Sequence, residues 1–133
     1  MLGEIEAAGR RDRVVLADME AGLGTLTRMT AGHVDYVLVM AEPTPKALEV
    51  ARRAVALVRE REVGQVLVVA NRVRDQEDLH MVQQALPDEE VLVVPEDRAI
   101  EDADRDAMAP LDVASDAPGV QALTAVARRL VQQ

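Results

Sequence analysis

The sequence predicts an α/β fold of three layers, in which helices cover a mostly parallel sheet of about four strands. Four short runs rich in valine and leucine alternate along the chain with segments whose apolar residues recur at helical spacing. An alternation of this kind favours a parallel sheet with right-handed crossovers. With 133 residues, of which 49% are hydrophobic, residues 1–133 are expected to form a single domain with its own core.

Composition argues against several classes of function. A formal net charge of −9 disfavours nucleic acid as a partner, because the phosphate backbone would be repelled. The absence of cysteine rules out disulfides and thiolate metal ligands and fits a reducing, cytoplasmic location. No apolar run approaches the ~20 residues of a transmembrane helix and no signal peptide is visible, so no membrane association is expected.

The first predicted strand, Arg13–Asp18, ends in an acid and is followed by a turn that contains Gly22 and Gly24. A continuous apolar run is typical of a buried parallel strand, and ligands of open α/β sheets bind at the carboxyl ends of such strands. Asp18 is therefore a candidate ligand-site residue. The alternative is a strand followed by an ordinary polar turn. A short helical turn with Leu26 and Met29 on one side follows and closes at Gly32.

The second predicted strand, Asp35–Met40, leads into the best-defined helix of the sequence. Thr44 is suited to the N-cap and Pro45 to the first helical position. We expect the helix to run to about Val63 and to be stopped by Gly64. Its predicted buried stripe is Leu48, Ala51, Val55 and Val58.

Two further strands and two further helices complete the prediction. The third strand, Gln65–Ala70, ends at Asn71, and Asp75 caps a helix that runs to about Leu86. The fourth strand, Glu90–Val94, is stopped by Pro95. Residues 101–117 are acidic and are expected to be an irregular, solvated segment. The final helix begins at 118–119 and is expected to pack on the sheet, not on a membrane; its predicted inward residues are Val120, Leu123, Ala127 and Leu130.

Several short motifs together resemble the deviant-Walker ATPases of the MinD/ParA superfamily, and most of all its CooC-type branch. The resemblance covers roughly residues 13–130, in family order and at family-like spacing. The matching segments are Asp18–Gly22 with Leu26, Arg28 and Thr30; Val34-Asp35; Glu42-Pro43-Thr44; Asn71-Arg72-Val73; Val94-Pro95-Glu96-Asp97; and Ala103-Asp104-Arg105.

The resemblance implies a role for each candidate site residue. Asp18 would hold Mg²⁺ through a water molecule, as a hard cation prefers carboxylate oxygens and keeps part of its hydration shell. Gly22 would face the γ-phosphate. Asn71 would hydrogen-bond the adenine edge, and the residues of the Pro95-Glu96-Asp97 segment would line the same base site. The alternative for Asn71 is an ordinary turn, where asparagine is favoured because it bonds its own backbone.

The phosphate loop with which this family begins is not found in the sequence. No G-x-x-x-x-G-K-[ST] motif occurs, and Lys46 is the only lysine. The resemblance therefore implies the carboxyl-terminal half of a truncated P-loop NTPase-like fold, without the first strand and the Walker A loop. We expect ATP and Mg²⁺ to bind weakly or not at all to this chain alone. CooC-type enzymes bind metal through a Cys-x-Cys pair that is absent here, so neither zinc nor nickel is expected.

The leading hypothesis is a truncated or degenerate ATPase domain, inactive alone, that acts in nucleotide-dependent or regulatory protein interaction. The alternatives are a non-catalytic interaction module and a carboxyl-terminal fragment of a complete ATPase. A protein partner or weak self-association is expected in each case. The runner-up fold, a flavodoxin-like or receiver domain, is disfavoured because a receiver needs a lysine after its last strand. We expect the first two strands to close the gap left by the missing strand, so that Val14–Leu16 pairs directly with Val37–Val39; the alternative is that a strand from another chain fills the gap.

Overall fold

The computed structural model describes residues 14–19 and 24–131 of the chain. Within them lies a three-stranded, all-parallel sheet in the order β1-β2-β3, which confirms the predicted α/β class. β1 is Tyr36–Ala41, β2 is Gln65–Val73 and β3 is Val91–Pro95. The register places Tyr36 opposite Gln65 and Val68 opposite Val91. All three carboxyl ends therefore lie at one edge of the sheet.

Five α-helices and one 3-10 turn surround this sheet in the described residues. The turn, Leu26–Arg28, precedes β1. The helices are α1 (Pro45–Arg61), α2 (Gln76–Ala85), α3 (Arg98–Arg105), α4 (Pro110–Val113) and α5 (Pro118–Val131). None of the described helices is both long enough and apolar enough to cross a membrane.

The core forms on both faces of the sheet, which gives the three predicted layers. On one face, α1 and α2 pack their apolar side chains against β1 and β2, and the four residues predicted as the α1 stripe are all buried. On the other face, Val126 of α5 packs against Val69 and Val94. Leu67 at the centre of β2 has no exposed surface. The prediction that the last helix packs on the sheet is thus confirmed.

The helix starts follow the local sequence, but the end of α1 does not. The side chain of Thr44 accepts a hydrogen bond from the Ala47 N–H, with Pro45 at the first helical position. The residue that ends α1 in the left-handed conformation is Glu62, with φ of 52°, and not Gly64. Gly64 serves a different purpose, because a Cβ there would lie 2.5 Å from the carbonyl oxygen of Val34.

The predicted first strand is the main correction to the sequence prediction. Residues 14–19 form no strand, and the side chains of Val14 and Leu16 are 73% and 80% exposed. The expected pairing of Val14–Leu16 with Val37–Val39 is therefore wrong. β1 pairs only with β2 among the described residues. A strand has no hydrogen bonds of its own, so an apolar run becomes one only where a neighbouring strand can pair with it.

Two smaller predictions also fail in detail. The segment 101–117, expected to be irregular, contains the end of α3 and all of α4. In α5, Val120 and Leu130 face the core as predicted, but Leu123 is 42% exposed and Val126 is buried instead, so the inward stripe is rotated from the predicted one. Apolar spacing on a helix is compatible with several rotations, and the contact with β2 and β3 selects one of them.

Candidate functional site

A pocket of about 310 Å³ lies at the carboxyl ends of β2 and β3, at the edge of the sheet where open α/β folds bind ligands. The loop after β3, α3 and the segment leading into α4 form its other walls. The residues that line it are Asn71, Arg72, Pro95, Glu96, Asp97, Ile100, Glu101, Asp104, Met108 and Pro110. This volume is at the lower end of the range for small-molecule pockets, so it suits a group the size of a nucleobase.

The structure brings four of the six predicted site residues into this one pocket. Asn71 comes from the end of β2, and Pro95, Glu96 and Asp97 come from the end of β3 and the loop that follows. They are neighbours because Asn71 pairs with Val94 in the parallel register. Their proximity follows from the pairing of β2 with β3, although 24 residues separate Asn71 from Pro95 in the chain.

The other two predicted residues, Asp18 and Gly22, are not part of this pocket. Asp18 is exposed, and it makes no hydrogen bond or ion pair with any described residue. Gly22 lies outside the residues that the structure describes. In the described part of the chain, no group of three or more histidine or acidic side chains is arranged to hold a metal ion.

Arg72 is the most unusual residue of the pocket. It is the extra residue of a bulge in β2, between Asn71 and Val73, and its φ of 58° is in the left-handed region. A non-glycine residue in this conformation is strained and needs support from its surroundings. That support comes from the pairing of β2 with β3 on either side of the bulge. The Arg72 guanidinium donates to two carboxylates, Glu96 and Glu101, each at 3.2 Å. Arg72 therefore ties the end of β2 to α3 across the pocket.

Asp97 fixes the wall of the pocket through two helix amino termini. Its Oδ1 accepts a hydrogen bond from the Ala99 N–H of α3 at 2.9 Å, and its Oδ2 accepts one from the Gly119 N–H of α5 at 2.7 Å. Helix amino termini have unsatisfied N–H donors and favour a negative charge. Both oxygens of Asp97 are therefore used in the fold, which leaves Asn71 and Glu96 as the better-placed predicted residues for ligand contact.

A second acid fixes the chain just beyond β2. Asp78 in α2 is 4% exposed and accepts hydrogen bonds from the backbone N–H of Arg74, at 2.9 Å, and from the Arg74 guanidinium, at 2.9 and 3.0 Å. These hydrogen bonds favour the charged carboxylate and hold the pKa of Asp78 below its usual range. The pair therefore fixes the connection between the pocket's β2 wall and α2.

The charges around the pocket favour one kind of ligand group over another. Of the residues that the structure describes, Glu96, Glu101 and Asp104 line it together with one cation, Arg72, which is already bonded to two of them. A phosphate would be repelled by this set, whereas a group with N–H donors would find acceptors. The Asn71 amide makes no hydrogen bond to a described residue, so its donor and its acceptor are both available. The acidic side chains and the Asn71 amide are therefore suited to the edge of a base with an exocyclic amine.

Sequence reasoning missed the contribution of Arg72, Glu101 and Asp104 to this pocket. The acidic composition of residues 101–117 predicts a solvated segment for both acids, which is the usual environment of such residues. In the Asn71-Arg72-Val73 motif, the resemblance implies a role for the asparagine alone. Neither the bulge nor the left-handed conformation of Arg72 has a local sequence signal, because both follow from pairing with β3.

Comparison with curated proteins finds two relatives of this chain. It is 37% identical over 80 residues to an uncharacterized ATP-binding protein of Methanocaldococcus jannaschii, a match that covers 60% of this chain and 31% of that protein. It is 28% identical over 105 residues to the carbon monoxide dehydrogenase accessory protein CooC of Rhodospirillum rubrum, which covers 78% of this chain and 40% of that protein. The chain thus spans about a third of the length of the relatives it matches. No protein-family profile matches it.

The fold is also similar to a solved structure. The MinD cell division protein of Aquifex aeolicus superposes with a TM-score of 0.61 over 77% of this chain and 46% of that chain, at 21% sequence identity. This likeness supports the α/β architecture and its parallel strand order. The pocket at the ends of β2 and β3 therefore lies in a fold that MinD shares.

Proposed function

We propose that this chain, a relative of the MinD- and CooC-type P-loop ATPases, forms the base-binding side of an adenine nucleotide site. The observation that carries the proposal is the convergence of Asn71, Pro95 and Glu96 on one pocket large enough for a base. An asparagine amide can donate to and accept from the edge of adenine at the same time. The acidic lining supports the same orientation, because it favours the base over the phosphates.

The phosphates need groups that this sequence does not supply. Phosphoryl transfer is catalysed chiefly by positioning and by charge stabilisation, for which P-loop enzymes use a lysine and a cradle of backbone N–H groups. We therefore propose that ATP hydrolysis requires a second polypeptide segment that carries a strand and a phosphate loop. Asp18 would then act at the Mg²⁺ site, and Gly22 would face the γ-phosphate.

β1 is the part of the chain that could receive such a strand. Its residues include no charge and no proline, and it pairs only with β2 among the described residues. Edges of this kind are usually protected by charges, proline or a covering element, because their free N–H and C=O groups attract other strands. An inserted strand would pair with β1 along one edge, and the exposed apolar run Val14–Leu16 is a candidate to pair with its other edge.

A titration followed by amide NMR shifts tests the base site directly. Because the pocket favours the base over the phosphates, adenosine should bind this chain weakly, in the millimolar range, and ATP should bind no more tightly, with little dependence on Mg²⁺. The shifts should concentrate at Asn71, Arg72 and the Glu96–Glu101 segment. Asn71→Ala should weaken binding, whereas Gln83→Ala, which removes an exposed amide on α2 outside the pocket, should not.

The absence of any shift at saturating adenosine would contradict this proposal and favour a second one, a non-catalytic interaction module. The edge of β1, which has no second partner strand among the described residues, and the exposed run Val14–Leu16 also support that function, as neither needs a nucleotide. In both cases we expect no steady-state ATP turnover by the chain alone. Turnover that survives purification and is lost in Asp18→Ala would show that the missing phosphate loop is not required.

A further inference from the structure

The charges of this chain are strongly segregated along the sequence. Residues 88–116 contain eleven carboxylates and two arginines, so they carry the entire formal net charge of −9, and the rest of the chain is balanced. By contrast, α1 contains Lys46 and four arginines against two glutamates. Charged groups that are left unpaired within one molecule can attract groups of opposite sign on another molecule.

α1 and α2 enclose an open groove of about 1070 Å³, here called the α1–α2 groove, whose lining includes three arginines and three acids. Its apolar lining includes Leu48 and Met81, from the two helices. Two of its three arginines are already ion-paired: Arg53 with Glu49, and Arg59 with Glu89 at 2.7 Å. The third is different.

Arg52 makes no ion pair with any residue that the structure describes, and it is exposed on the groove. The remaining acid of the groove, Asp88, lies beside Arg59, about two helical turns from Arg52. Arg52 is therefore an uncompensated cation next to apolar surface.

Within the acidic segment 88–116, the short helix α4 presents what we call the α4 patch: Leu111, Asp112 and Val113. The two apolar side chains are 62% and 51% exposed, and adjacent exposed apolar side chains can mark an interaction site. Asp112, between them, has no ion pair in the described part of the chain, and the same is true of Asp106 and Asp116 on either side. The α4 patch is thus an exposed apolar surface surrounded by unpaired carboxylates.

We propose that the α4 patch of one molecule binds in the α1–α2 groove of a second copy, with Asp112 against Arg52 and the apolar side chains on the groove floor. The occupant is a second copy because the two complementary surfaces occur in the same chain. Each copy has one patch and one groove, so the contact is head-to-tail and can continue to a third copy unless the rotation closes a ring. The proposal is independent of nucleotide binding.

Sedimentation velocity over a range of protein and NaCl concentrations tests this association. The mean mass of the unmodified chain should rise with protein concentration and fall with salt, because the contact includes charges near solvent. Arg52→Glu and Asp112→Arg should each weaken association by about tenfold, since each replaces attraction with repulsion. Leu111→Ser should weaken it at constant charge. Arg128→Glu and Glu60→Arg, equal changes at exposed positions outside both surfaces, should have no comparable effect.

The decisive measurement is an equimolar mixture of Arg52→Glu and Asp112→Arg. Each variant repels itself, but together they restore two complementary contacts, so the mixture should associate where neither variant does. Circular dichroism of each variant checks that the fold is retained. A chain that stays monomeric at its highest soluble concentration would overturn the proposal. So would an Arg52→Glu variant that associates like the unmodified chain, or a mixture that remains monomeric.

Discussion

Replacing Asp97 with alanine should destabilise the protein more than the loss of a single helix cap. The Asp97 carboxylate accepts from the amino termini of two helices, at 2.9 Å from the Ala99 nitrogen and 2.7 Å from the Gly119 nitrogen. Loss of one N-cap typically costs about 1 kcal/mol, so Asp97→Ala should lower the free energy of unfolding by about 2 kcal/mol. That is a large share of the roughly 5–15 kcal/mol by which a domain is usually stable.

Urea unfolding followed by circular dichroism at 222 nm measures this change. With a slope of about 2 kcal/mol per molar, the midpoint should fall by about 1 M urea while the slope stays constant. Asp97→Asn retains one acceptor oxygen, so its loss should be about half as large. Asp104→Ala removes a carboxylate of α3 that makes no hydrogen bond with a described residue, and it should change stability by less than about 0.5 kcal/mol. A loss below that value for Asp97→Ala would refute the double cap.

Four further predictions follow from the packing and charges of the chain. Gly119→Ala places a Cβ 2.7 Å from Ile100 Cδ1, so thermal unfolding should show a loss of about 1–3 kcal/mol. Leu67→Ala should cost about 2–5 kcal/mol in urea unfolding because Leu67 is fully buried, whereas Leu16→Ser should cost less than about 0.5 kcal/mol; equal losses would show that Leu16 is buried. The folded-state pKa of Asp78 lies below its ordinary value of 3.8, so its contribution to stability is present above that pH and is lost as the pH falls through the folded pKa. As the pH is lowered below about 5, the urea midpoint of the unmodified chain should therefore fall more steeply than that of Asp78→Asn. Elemental analysis after dialysis should find no stoichiometric zinc or nickel, because the sequence has no cysteine and only two histidines, far apart in the chain.

The sequence by itself determined the features that depend on neighbouring residues. Hydrophobic runs located β1, β2 and β3 to within a few residues, and the Thr44-Pro45 pair located the start of α1. A cap or a helical stripe can be predicted because it involves residues within about one turn of each other. The order of the motifs also assigns Asn71 and the Pro95–Asp97 segment to one predicted site without reference to the pairing of β2 with β3.

Tertiary structure decided the features that depend on partners distant in the chain. The Arg13–Asp18 segment has the composition of a strand, but without a partner strand its described residues are exposed. Arg72 adopts a strained conformation because β2 must bulge against β3. Asp97 and Gly119, 22 residues apart, meet only once α5 has packed on the sheet. Strand pairing, bulges and shared caps are settled by which surfaces meet, and the chain's local composition does not contain that information.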